Sequence, residues 1–225
     1  MTSARDQILA GIRRSLRRDA PAPSDAQACA ERIERHPRNL IPARAQLPHP
    51  EQVELFVSML GEVAATVQRL PGLEAVPDAV ADYLASQNLP AELRMAPDPD
   101  LEGIPWERRP TLTITTGRAE DRDPTSLTGA AAGVAETGTL VMTSGAEHPT
   151  TLNLMPDTHI VVLRADRIVG TYEDAWDVLR ARGPVPRTVN FITGPSRTGD
   201  IEQTIQLGAH GPRRLHVLLV EQAGA

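Results

Sequence analysis

HIVVLRADRIVGTYEDAWDVLRARGPVPRTVNFITG, residues 159–194, runs strand, helix, strand. HIVVL (159–163) is an unbroken apolar run of strand length rich in β-branched residues, the pattern of a strand covered on both faces. Residues 172–182 follow as a helix, and TVNFITG (188–194) as the next strand. Strands alternating with helices call for an α/β fold, a mostly parallel sheet with helices on both faces. Such sheets present their ligands at the carboxyl ends of the strands, so the loops there are where chemistry is expected.

Working outward, residues 198–207 read as a helix and LHVLLV (215–220) as a closing strand. Upstream strands are expected at 93–96, 112–116 and 138–142, all in the same sheet. Val53, Phe56, Val57, Leu60, Val63 and Val67 form a helical apolar stripe over 51–69. Further helix is expected from Asp78 to Gln87, with a single turn near Thr151–Leu154. At the start, Ser3 is a candidate N-cap with Asp6 in the first turn, and Ile8, Leu9, Ile12 and Leu16 share one face of a helix over 3–18. Residues 19–50 contain Pro21, Pro23, Pro37, Pro42, Pro48 and Pro50 and read as a linker or extended arm. The expected division is an N-terminal helix and arm over 1–49 and a folded body over 50–225.

Composition narrows the function classes. A chain of 225 residues buries roughly 70% of its unfolded surface and needs neither disulfide nor metal to hold a core. The net charge of −6 argues against a nucleic-acid-binding surface, and Arg13, Arg14, Arg17 and Arg18 read as a solvated helix face. Nothing resembles a signal peptide or a membrane span, so a cytoplasmic protein is expected. Cys29 is the only cysteine, too few for a disulfide or for the thiolates of an iron–sulfur cluster. Lysine is absent altogether, which excludes a Schiff-base, pyridoxal-phosphate or Walker-A lysine. The histidines show neither H-x-H nor H-x-x-x-H spacing, and G-x-G-x-x-G is missing, so neither a zinc site nor a dinucleotide fingerprint is expected.

Three segments carry candidate chemistry. In Ala135-Glu136-Thr137-Gly138-Thr139 a carboxylate and two hydroxyls sit where a Gly/Ala-rich turn enters a strand. Glu136 there is a candidate general acid, base or acyl nucleophile; equally, it caps backbone amides or pairs with an arginine. Gly194-Pro195-Ser196-Arg197-Thr198-Gly199-Asp200 follows a strand and is expected to open a helix, whose free amides and dipole suit an anion. Arg197 there grips a carboxylate or closes a salt bridge, and Glu136 is expected across the same cleft. His210, in Gly208-Ala209-His210-Gly211-Pro212, transfers protons or hydrogen-bonds the turn's carbonyls. A nucleophile elbow does not fit, because Gly194, Ser196 and Gly199 are spaced one residue too far.

Taken together and in order, GVAETGTLVMTSG, PDTHIVVLRADRIV and FITGPSRTGDIEQTIQLGAHGP resemble the LUD domain, the family of lactate-utilisation protein C (LutC/YkgG-like). The resemblance spans about Leu112 to Val220. It implies a fold similar to the NagB/RpiA/CoA-transferase group and a role in oxidising L-lactate to pyruvate in bacteria. It further implies sister proteins that carry iron–sulfur clusters, with no cofactor in this chain. The motif positions it carries over are Glu136, Thr137, Gly138, Thr139, His159, Gly194, Ser196, Arg197, Asp200, His210 and Gly211. Two functional classes follow: a substrate-handling or accessory subunit that binds a small carboxylate, and a free-standing acyl-transferase-like or sugar-phosphate-isomerase-like enzyme using Glu136.

Overall fold

A computed structural model describes residues 3–17, 22–198 and 206–221. The chain divides into two compact units, Met1–Leu40 and Ile41–Ala225. The first contains helices α1 (Ala4–Leu16) and α2 (Pro23–Arg35). A reciprocal capping box starts α1, with the Asp6 amide donating to Ser3 Oγ and the Ser3 amide to the Asp6 carboxylate. Helix α2 lies in the stretch expected to be an arm. Pro23 occupies its first turn, where a missing N–H leaves no bond unmade.

In the second unit the order is α3 (His49–Glu62), β1 (Thr66–Leu70), α4 (Val76–Ser86), β2 (Glu92–Met95), α5 (Pro99–Glu102), β3 (Thr113–Thr116), β4 (Thr125–Gly129), β5 (Ala132–Val134), β6 (Thr139–Thr143), β7 (Thr158–Arg164), β8 (Ile168–Val169), α6 (Tyr172–Ala181), β9 (Val189–Ile192), β10 (Arg197–Thr198), β11 (Gln206–Leu207) and β12 (Arg214–Val220). The central sheet has six strands in the order β1-β12-β7-β4-β2-β3, and every neighbouring pair is parallel. Beside it lies a four-stranded sheet, β8-β5-β6-β9, in which β6 runs antiparallel to both β5 and β9.

Side-chain alternation explains the layering. Ile160 and Val162 of β7 and Leu218 and Val220 of β12 pack with Val76, Val80 and Leu84 of α4. Val161, Leu163, Val217 and Leu219 point the other way, onto Phe56 and Leu60 of α3 and Leu140 and Met142 of β6. On the far side of the second sheet, Val134 and Val141 meet Ala175 and Leu179 of α6. Strands β7 and β12 are therefore apolar on both faces along most of their length because both faces are covered, as HIVVL and LHVLLV imply.

Besides α2, the structure departs from the sequence-based expectation elsewhere, and β4, at the centre of the sheet, is not among the expected strands. The helix expected over 51–69 stops at Glu62, and Thr66–Leu70 is an edge strand of the central sheet. The expected strands 138–142 and 188–193 are present but pair antiparallel with each other in the second, mixed sheet, because β5 and β6 make a hairpin. The helix expected over 198–207 is absent from its described ends: Arg197–Thr198 pairs antiparallel with Gln206–Leu207. The remainder of that segment, Asp200 included, lies outside the described residues.

Candidate functional site

Where β2 and β4 end, the chain turns away from the central sheet and leaves a cavity of about 270 Å³ facing the second sheet. Ala96 and Asp98 follow β2, Thr128 and Gly129 close β4, Ala130 and Ala131 lead into β5, and Met142 and Thr143 end β6. This is the carboxyl-end rim of a parallel sheet, where peptide groups end unpaired and ligands bind.

The polar groups around the cavity form two sets. On one side, Asp98 is buried and accepts the Asp100 amide at 3.0 Å, capping the short α5, while its Oδ2 lies 3.7 Å from His148 Nδ1. On the other side stand two guanidiniums. Arg167 pairs with Asp100 and reaches the Ala130 carbonyl at 3.4 Å. Arg182, on the residue that closes α6, donates to the Ala131 carbonyl at 2.8 Å. No carboxylate among the described residues lies within salt-bridge distance of Arg182. Although the residue is exposed at the cavity mouth, burial of its guanidinium end lowers its pKa first, and the Arg167 charge lowers it further against the opposing pull of Asp100. Three carboxylates, Asp98, Asp100 and Glu147, line the cavity with the two guanidiniums, and Arg167 is engaged by Asp100; Arg182, with no carboxylate against it among the described residues, is the group an added anion would meet. Among the described residues no group of three or more His, Cys, Asp and Glu side chains is placed to hold a metal ion.

The residues singled out from the sequence lie elsewhere. Glu136 is buried, and its Oε1 accepts the Tyr172 amide at 3.3 Å in the first turn of α6, where a carboxylate meets the positive end of the helix dipole. Thr137 and Thr139 form a hydroxyl cluster: Thr137 Oγ1 lies 2.7 Å from Thr139 Oγ1 and 2.9 Å from the Tyr172 hydroxyl, and Thr139 Oγ1 lies 2.5 Å from Thr193 Oγ1. Gly138 and Gly194 both have positive φ and press against α3, at Met59–Leu60 and Val63 respectively. Ser196 clasps the turn containing His210: its Oγ accepts the His210 amide at 3.2 Å, its carbonyl accepts the Gly208 amide, and its own amide donates to Pro212. Arg197 and His210 are exposed.

Two of the three motif segments thus meet through Thr139 and Thr193, and the second and third meet through Ser196 and His210. Their meeting place is the start of β6, whereas the cavity lies at its end, about 14 Å along the strand. The cavity residues Asp98, Arg167 and Arg182 are far apart in sequence, so no spacing announces them. The one available signal is the Asp98-Pro99-Asp100 loop directly after a strand.

An α/β protein with a parallel sheet and an open cleft at its carboxyl-end rim is the class this geometry defines. The LUD domain family matches residues 122–220. "Lactate utilization protein C" of Deinococcus radiodurans is 32% identical over 190 residues, covering 80% of this chain and 84% of that protein. The protein of the same name from Bacillus subtilis is 37% identical over 91 residues, 39% of this chain and 38% of that one. A crystal structure of a DUF162 family protein from Deinococcus radiodurans superposes with a TM-score of 0.59 at 29% identity, covering 77% of this chain and 99% of that chain. The chain belongs to the LUD-domain family. No helix among the described residues is long and apolar enough to cross a membrane.

Proposed function

We propose that this chain is a lactate-utilisation protein of the cytoplasm, acting beside sister proteins that carry the iron–sulfur clusters for oxidising L-lactate to pyruvate. Its own part is to hold a small carboxylate in the cavity between the two sheets. The relatives' names support the pathway, and Arg182 supports the site: it is a guanidinium at a cavity mouth, beside a second guanidinium, with no carboxylate partner among the described residues. A planar guanidinium grips a carboxylate with two parallel hydrogen bonds. His148, beside Asp98 on the opposite wall, is placed to exchange a proton with the ligand's oxygen.

Calorimetric titration with sodium L-lactate tests the site. Arg182→Ala is expected to weaken binding about tenfold or more, the loss of one charge-assisted contact. Arg182→Lys is expected to recover little, since an ammonium cannot make the paired contact. Equal binding by wild type and Arg182→Ala, with unchanged melting temperatures, rules the site out. Dye-linked lactate oxidation by the sister proteins should fall when this chain is left out; an undiminished rate rules out the role.

A further inference from the structure

His159 on β7 is fully buried, and its Nε2 lies 2.8 Å from Oγ1 of Thr128 on β4. Its Nδ1 is buried with no hydrogen-bond partner among the described residues. Burial also holds the ring neutral, with its pKa pushed down to about 3, so it carries a single N–H. Two arrangements fit the contact. In one, Nε2 accepts the Thr128 hydroxyl proton and the N–H is on Nδ1, stranded in the core without an acceptor. In the other, Nε2–H donates to Thr128 Oγ1 and only a lone pair is left unmatched at Nδ1. Buried N–H groups without acceptors are the rarer and costlier defect, so the second arrangement is favoured.

That arrangement has a consequence at the cavity. Thr128 lines it, and the hydroxyl's one hydrogen bond among the described residues is the one to His159. With its oxygen receiving the histidine proton, the hydroxyl keeps its own proton for the cavity side. Thr128 stands three residues before Ala131, whose carbonyl holds Arg182, so hydroxyl and guanidinium flank the same short turn. We infer that His159 fixes Thr128 as a hydrogen-bond donor to an acceptor oxygen beside the ligand's carboxylate, so that the cavity selects 2-hydroxy and 2-oxo acids over simple fatty acids. This rests on the carboxylate site proposed above. His159 is a positioning residue here, acting through Thr128.

The test uses the full chain with sodium L-lactate, pyruvate and propionate as probes, the last lacking the oxygen. Wild type is expected to bind lactate and pyruvate about tenfold more tightly than propionate, one hydrogen bond's worth. Thr128→Val should erase that preference, and Thr128→Ser should restore it. Nitrogen-15 NMR of labelled histidine should show His159 protonated at Nε2 without any ligand, a readout that a merely structural contact would not fix. An Nδ1–H ring overturns the inference. So does a preference that survives Thr128→Val while Arg182→Ala weakens all three probes, an outcome that leaves the carboxylate site standing. If no probe binds wild type, the carboxylate site falls and takes this inference with it.

Discussion

Between pH 6.5 and pH 4 the protein is expected to lose on the order of 3 kcal/mol of stability for each of His159 and His216. Burial pushes their pKa values down to about 3 and about 4, from 6.5. Both rings are neutral in the fold at pH 5, whereas the unfolded chain binds a proton on each. The unfolded state therefore holds more protons across this window, and stability rises with pH. The contribution is complete above pH 6.5 and is lost as the pH falls towards the folded values. His216 is stacked on Tyr83 with ring centroids 3.9 Å apart, and its Nδ1 lies 2.7 Å from Thr66 Oγ1, so charging it also disturbs the β1 edge. Urea melts at half-unit steps of pH should show a slope of about 1.4 kcal/mol per pH unit per histidine. His216→Phe, which keeps a ring on Tyr83, should halve that slope. A stability profile that stays flat from pH 6.5 to pH 4.5 contradicts the expectation.

Gly138→Ala is expected to cost about 2–4 kcal/mol, from a left-handed backbone position and a forced contact in a packed interior. Its φ is +63°, and a Cβ there would stand 2.6 Å from the Leu60 amide nitrogen and 2.8 Å from the Met59 carbonyl carbon. Those are backbone atoms of α3 and cannot swing aside. Ala64, at φ +59°, is the matched backbone position, so Ala64→Gly reads the left-handed cost of an alanine without the contact. A Gly138→Ala loss, measured by urea denaturation, no larger than the gain from Ala64→Gly would show that α3 does not press on the turn.

The middle of the parallel core was legible because HIVVL and LHVLLV are apolar on both faces at nearly every position, which coverage on both sides explains, whereas β4, reading TSLTG, gave no such signal. The edges were not. Thr66–Leu70 continues the stripe of Val63 and Val67, so periodicity alone extends the helix through it. The change of conformation instead falls at Ala64, with φ +59°. GPSRTGD looks like a helix start because glycine, serine and arginine are equally at home in a turn, and here Arg197–Thr198 turns back on Gln206–Leu207. For Glu136 the sequence left capping and catalysis side by side, and its placement on the Tyr172 amide is a tertiary fact, 36 residues away. The cavity was least visible, since it is assembled from the ends of strands that become neighbours only when the sheet forms.

The position of β12 between β1 and β7 bears on how the molecule is made. Thr66 pairs in register with His216, and Leu70 with Val220. During synthesis, β1 leaves the ribosome with no neighbour to join, and β7 has one side open, until some 150 residues later β12 supplies the missing middle. Closing so long a loop is slow, and two bare strand edges wait in the meantime. Such a chain completes its central sheet only after β12 has been translated, and in the interval the two open edges are exposed to mispairing.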